Sequence, residues 1–77
     1  MAEAPPMQHH FEALTPRERE VLDLIVYGNS NQEVAVILNI SARTVEFHRK
    51  RIIRRIGARN TADLARIWGE RHARGQW

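Results

Sequence analysis

The sequence predicts an all-α fold, a compact bundle of four helices. Three observations carry this: helix-capping signals at four places, apolar residues recurring at helical spacing behind each, and glycine or asparagine stops where the spacing ends. The chain has 77 residues and no cysteine, so it holds one small domain without a disulfide framework. A domain of this size buries only about 60% of its unfolded surface, and a partner subunit would add to its stability.

Residues 1–13 carry two prolines, an adjacent pair of histidines and no sustained periodicity, and read as a flexible N-terminal segment or linker ahead of a domain over 14–77. His9 and His10 in such a segment fit a solvated patch or a cloning remnant better than a metal site. The first helix opens at "TPRE", with Thr15 as cap, Pro16 at the first position and Glu18 at the third, a reciprocal capping box. Val21, Leu22 and Ile25 form its buried face, Leu14 closes the lower edge, and Gly28 stops it after Tyr27. Ser30 and Glu33 repeat the capping box ahead of Val34, Ala35 and Leu38, a helix of about two turns. Asn39 tolerates the left-handed turn that ends it, Ile40 plugs the corner, and Ser41 caps the third helix.

In the third helix Val45, Ile52 and Ile56 fall within about 40° on a wheel of 100° per residue, flanked by His48 and Arg49. The opposite face receives Arg43, Phe47, Lys50, Arg51 and Arg54, with Glu46 at its edge, and Gly57 ends the helix. Asn60 or Thr61, followed by Asp63, opens the fourth, where Leu64, Ala65, Ile67 and Trp68 span a wide apolar arc. Leu64, Ala65 and Trp68 are expected to close the core and Ile67 to stay in water. Gly69 weakens the end of this helix, and the tail "HARGQW" is expected to fray.

Charge is divided along the chain. Six of the nine acids lie in residues 1–33, whereas Arg43, Arg49, Lys50, Arg51, Arg54, Arg55 and Arg59 face the single acid Glu46. A block of forked guanidiniums fits a polyanion better than general solubility does. Two helices joined by about three residues, the second cationic on its free face, form the pattern of a helix-turn-helix whose recognition helix enters the DNA major groove.

Leu14 to Leu64 resembles the DNA-binding domain of LuxR-type (GerE-like) transcription regulators, including the output domains of NarL/FixJ response regulators. The resemblance is carried by "LTPREREVL", by "GNSNQEVA", by "IS" followed by "TV" and "H", and by "IGARN". It implies a four-helix domain, with no wing, that binds double-stranded DNA sequence-specifically through a recognition helix at about 42–56. The fourth helix would make a homodimer contact, and RNA polymerase would be a further partner. It places base reading on Glu46, Phe47 and Lys50, and it assigns Ser41, Thr44 and His48 to capping or backbone contact. Glu46 and Gln32 stand where the family often has lysine, so each removes a cation near DNA.

In physical terms Phe47 fits a thymine methyl, Glu46 the amino group of cytosine and Lys50 the acceptors of guanine. Packing on a neighbouring helix is the alternative for Phe47, and an i, i+4 pair with Lys50 is the alternative for Glu46. His48 is either a half-buried structural ring or a phosphate donor. The expected backbone contacts are Ser30, Asn31, Gln32, Arg43, Thr44, His48, Arg51, Arg54, Arg55 and Arg59. The expected dimer contact is Leu64, Ile67, Trp68 and Arg71. No nucleophile sits with a base, no glycine-rich phosphate loop appears, and no histidine spacing suits a metal, so neither an enzyme nor a cofactor is expected. With no signal-peptide order and no long apolar run, the expectation is a cytoplasmic, nucleoid-associated bacterial protein, either freestanding or an excised output domain. Region four of a sigma factor is the nearest alternative, set aside by "IGARNTADL". A helical module docking an acidic protein, with Trp68 as anchor, is a second.

Overall fold

The computed structural model describes residues 11–73. A 3₁₀ turn, Phe11–Ala13, leads into α1 (Pro16–Val26), α2 (Asn31–Leu38), α3 (Ala42–Ile56) and α4 (Thr61–Ala73), with no strand among the described residues. Each boundary has a local cause. Thr15 accepts from the Glu18 amide while the Glu18 carboxylate accepts from the Thr15 amide, and Ser30 and Glu33 repeat this exchange at α2. Ser41 accepts from the Thr44 amide at α3, and Asn60, rather than Thr61, caps α4 by accepting from the Asp63 amide at 2.8 Å. Asn39 (φ 58°) closes α2 and Gly57 (φ 84°) closes α3, both in the left-handed conformation that lets a helix stop and reverse. Three residues therefore separate α2 from α3, and Ile40 packs against the core from this corner.

The core follows the helical periods. Leu14, Val21, Leu22 and Ile25 meet Val34 and Ala35 of α2 and Val45, Ile52 and Ile56 of α3. Phe11 is 0% exposed and belongs to this cluster, so the packed core takes in a residue from the segment that the sequence reads as a flexible lead-in. Its ring lies 5.3 Å from that of Trp68, tilted by 59°, and the Arg71 guanidinium stands 5.2 Å from its centroid. Arg71 also pairs with Glu12. The rest of the expected lead-in, and the end of the expected tail, lie outside the described residues.

A second correction concerns α4. Ile67 is only 4% exposed and Leu64 is fully buried, while Ala65 faces solvent. Leu64, Ile67, Trp68 and Arg71 form one i, i+3, i+4, i+7 stripe against the bundle. The reversal follows from Phe11: its ring takes Trp68 at the margin of the core, which turns α4 so that Ile67 points inward. Leu64 and Ile67 are therefore spent within the domain and cannot form a surface contact. Gly69 sits inside the helix, which continues past it to Ala73.

Candidate nucleic-acid interface

With Val45, Ile52 and Ile56 committed to the core, α3 presents a long cationic ridge to solvent. Phe47 is 58% exposed, which places the ring outward and removes the alternative of packing on another helix. Glu46 and Lys50 are exposed beside it, with Lys50 Nζ 3.8 Å from the Glu46 carboxylate. Both roles considered for Glu46 thus remain compatible. The pair is loose and solvated, and such pairs contribute roughly 0.3–0.5 kcal/mol, so it does not hold either group back from another ligand.

The arginines fall into two groups. Arg51 Nε donates to Glu18 at 3.2 Å, and Arg55 donates to the Ala13 carbonyl at 2.9 Å. Among the described residues, no ion pair or hydrogen bond engages the side chains of Arg43, Arg49 and Arg54. Arg59 is intermediate, since its amide donates to Asp63 at 2.9 Å while its side chain lies 3.9 Å from the same carboxylate and is mostly in solvent.

Among the described residues Glu18 is the sole charged side chain in the core, 2% exposed. Burial pushes its carboxyl up, but the Thr15 amide, the Arg51 hydrogen bond and the charges of Arg55 and Arg51 outweigh this and hold it below its ordinary value. It is therefore ionised at neutral pH. Its cap role is legible in "TPRE"; its link to Arg51, 33 residues away, has no local signal.

The start of α2 supplies a second part of the surface. Asn31 and Gln32 line a shallow groove with Gly28, Asn29 and Ser30 on one side and Arg49 and Thr61 on the other. Amide N–H groups at a helix start favour anions, and the Arg49 guanidinium adds charge to the same groove. Arg49 and Thr61 are not among the residues expected to meet the DNA backbone; Arg49 lies only about 40° from the core direction of α3, which on a wheel marks it as a core flank.

Ser41 and Thr44 share a hydroxyl–hydroxyl contact of 2.8 Å at the start of α3. Their hydroxyls thus serve first as caps. His48 is half-buried, and its Nδ1 is buried without a hydrogen-bond partner among the described residues. Among the described residues there is no cluster of three or more His, Asp or Glu that could hold a metal, and no helix long and apolar enough to cross a membrane.

A tight turn between two short-linked helices, the second carrying an outward cationic ridge, defines a helix-turn-helix nucleic-acid-binding domain. Residues 12–68 match the model of the luxR family of bacterial regulatory proteins, and the chain belongs to that family of DNA-binding transcription regulators. It is 49% identical over 55 residues to the transcriptional regulatory protein MctR of Rhizobium johnstonii, covering 71% of this chain and 26% of that protein. Over 51 residues it is 51% identical to the transcriptional regulatory protein TdiR of Thauera aromatica, covering 66% of this chain and 22% of TdiR. The C4-dicarboxylate transport transcriptional regulatory protein DctR of Rhodobacter capsulatus is 50% identical over 50 residues, which is 65% of this chain and 25% of DctR. The chain thus spans about a quarter of the length of these relatives.

Proposed function

We propose that the domain reads double-stranded DNA sequence-specifically, with α3 in the major groove and Glu46, Phe47 and Lys50 facing the base edges. The observation that carries this is the composition of the outward ridge of α3. A phosphate grip alone needs only cations, yet among the cations of the ridge stand an exposed ring and, at its edge, a carboxylate. An exposed phenylalanine leaves apolar surface in water, and a thymine methyl in the groove would cover it. Arg43, Arg54, Arg49 and the amides of Asn31 and Gln32 then lie where phosphates flank the groove and supply affinity without sequence choice. Ser30, Thr44, His48 and Arg59 complete the backbone contacts on this reading, and binding at a promoter is how the domain would regulate transcription.

Phe47→Ala tests it. Selection from a random duplex pool provides the preferred site, and the variant should lower preference for that site over a scrambled duplex by roughly 1–3 kcal/mol, with thermal stability nearly unchanged. Retained preference together with a large loss of stability would show that Phe47 serves the fold instead.

Pairing of two copies through α4 belongs to the same reading. With Leu64 and Ile67 buried, the surface available is the opposite side of α4, where Ala62, Ala65 and Gly69 are exposed. Small side chains allow two helices to approach closely across a two-fold axis. Ala65→Arg should leave binding to a single half-site intact and abolish cooperative binding to paired half-sites about 34 Å apart. Unchanged cooperativity would place the contact elsewhere.

A further inference from the structure

Glu18 uses both carboxylate oxygens: Oε1 accepts from the Thr15 amide at 3.0 Å and Oε2 from Arg51 Nε at 3.2 Å. The guanidinium so held lies 5.5 Å from the centroid of the Phe47 ring, one helical turn back. Phe47 itself is outside the core, and its remaining ring neighbour is the adjacent His48 at 6.0 Å. A solvent-exposed phenylalanine on a helix samples more than one staggered rotamer. A cation fixed beside its ring favours one of them, because the ring face is the negative end of its quadrupole.

We propose that Glu18 is a positioning residue for specificity: through Arg51 it holds the Phe47 ring in the attitude that α3 presents to DNA. The inference rests on the reading of Phe47 as base-facing and goes beyond it, since it assigns sequence preference to a buried carboxylate on a different helix. It also gives Arg51 a different part from its expected one. Withdrawing Nε from the carboxylate would leave Glu18 charged and buried without its partner, which is costly. Arg51 Nε therefore stays with Glu18, which fixes the guanidinium beside the base-facing ring. The effect is preorganisation: a ring already held in one rotamer loses less conformational freedom when the groove closes over it.

The test uses the 77-residue chain with Glu18→Gln and Arg51→Lys, each with and without Phe47→Ala. Glutamine keeps an oxygen for the Thr15 amide, so the cap survives, while its amide NH₂ cannot accept from Arg51. Lysine keeps the charge but loses the planar fork, at an exposed position where folding is not in question. The ratio of affinities for the selected and scrambled duplexes should fall roughly two- to fivefold in each variant, the value of one exposed cation–ring contact. Affinity for the scrambled duplex and the slope of log K against log salt should not change. In the Phe47→Ala background neither substitution should lower the ratio further. Side-chain coupling constants of Phe47 by NMR should report one dominant rotamer in the parent and averaging in both variants.

Equal loss on both duplexes, or a loss that persists without the ring, overturns the proposal and returns Arg51 to the phosphates. If Phe47→Ala lowers the ratio and neither Glu18→Gln nor Arg51→Lys does, the positioning role alone is overturned. If Phe47→Ala leaves the ratio unchanged, the base-facing reading has failed and the positioning role with it.

Discussion

Arg51 and Arg55 on one edge of α3, and Arg43 and Arg54 on its outward ridge, are the same side chain in different circumstances. The first two are tied to the beginning of the domain, to Glu18 and to the Ala13 carbonyl. The other two have no hydrogen-bonded partner among the described residues. A guanidinium tied by one N–H keeps its other donors but is fixed in place, whereas an untied one turns freely toward a phosphate and exchanges only water and released counterions. Charge count along the sequence treats all four alike. On the proposed reading, this difference in partners separates a residue that meets phosphate from one that shapes the ridge beside it.

The largest effect that would test this contrast is in salt dependence. Replacing Arg43 and Arg54 together by alanine should weaken binding to every duplex and flatten log K against log salt by about two units, since each phosphate neutralised contributes roughly 0.9 to the slope. Arg55→Ala should leave that slope alone and instead cost about 0.5–1 kcal/mol of stability, the value of one hydrogen bond at the domain edge. Equal slopes for the two sets of variants would erase the distinction between the edges.

A smaller effect concerns acid. A carboxyl whose pKa is lower in the folded than in the unfolded state stabilises the fold above its unfolded value, about 4.3 for glutamate. That contribution disappears as pH falls through the folded value. Glu18 is such a group, held low against its burial by the Thr15 amide and by Arg51 and Arg55. Asp63, held low chiefly by the Arg59 amide and then by Arg66, is a second. Melting temperatures at pH 7 and pH 3 should therefore differ less in Glu18→Gln than in the parent, and an unchanged difference would assign the acid sensitivity to other carboxylates. The smallest effect belongs to the Glu46–Lys50 pair. Glu46→Gln should change stability by no more than about 0.5 kcal/mol at low salt and by nothing measurable at high salt, which thermal melts at two ionic strengths would show.

Most helix boundaries are legible in the sequence because their causes are local: Thr15 with Glu18, Ser30 with Glu33, Asn39 and Gly57 each act within one turn. The inward face of α3 is legible because three branched residues share one direction. Phe11 is not, because one aromatic without periodic neighbours carries no helical signal, although its burial depends on α4, far along the chain. The wrong side for Ile67 follows from that omission. An apolar arc as wide as that of α4 does not reveal its own centre, and the partner that sets it, Phe11, lies in a segment with no signal of its own. The outward placement of Phe47 is readable from the wheel. Which cations are tethered is not, since hydrogen bonds spanning 33 and 42 residues leave no trace in spacing.

The clasp of Phe11 and Glu12 on Trp68 and Arg71 has a consequence for how the chain folds and opens. Its ion pair joins residues 59 apart in sequence, whereas α2 and α3 meet across a three-residue turn. Contacts between near neighbours in sequence close cheaply, and those that enclose most of the chain carry the larger loop entropy. The α2–α3 pair should accordingly form early, with α4 and the Phe11 turn docking last. In hydrogen exchange the amides of α4 should lose protection before those of α3, so that the domain unzips from its ends while α2 and α3 remain assembled.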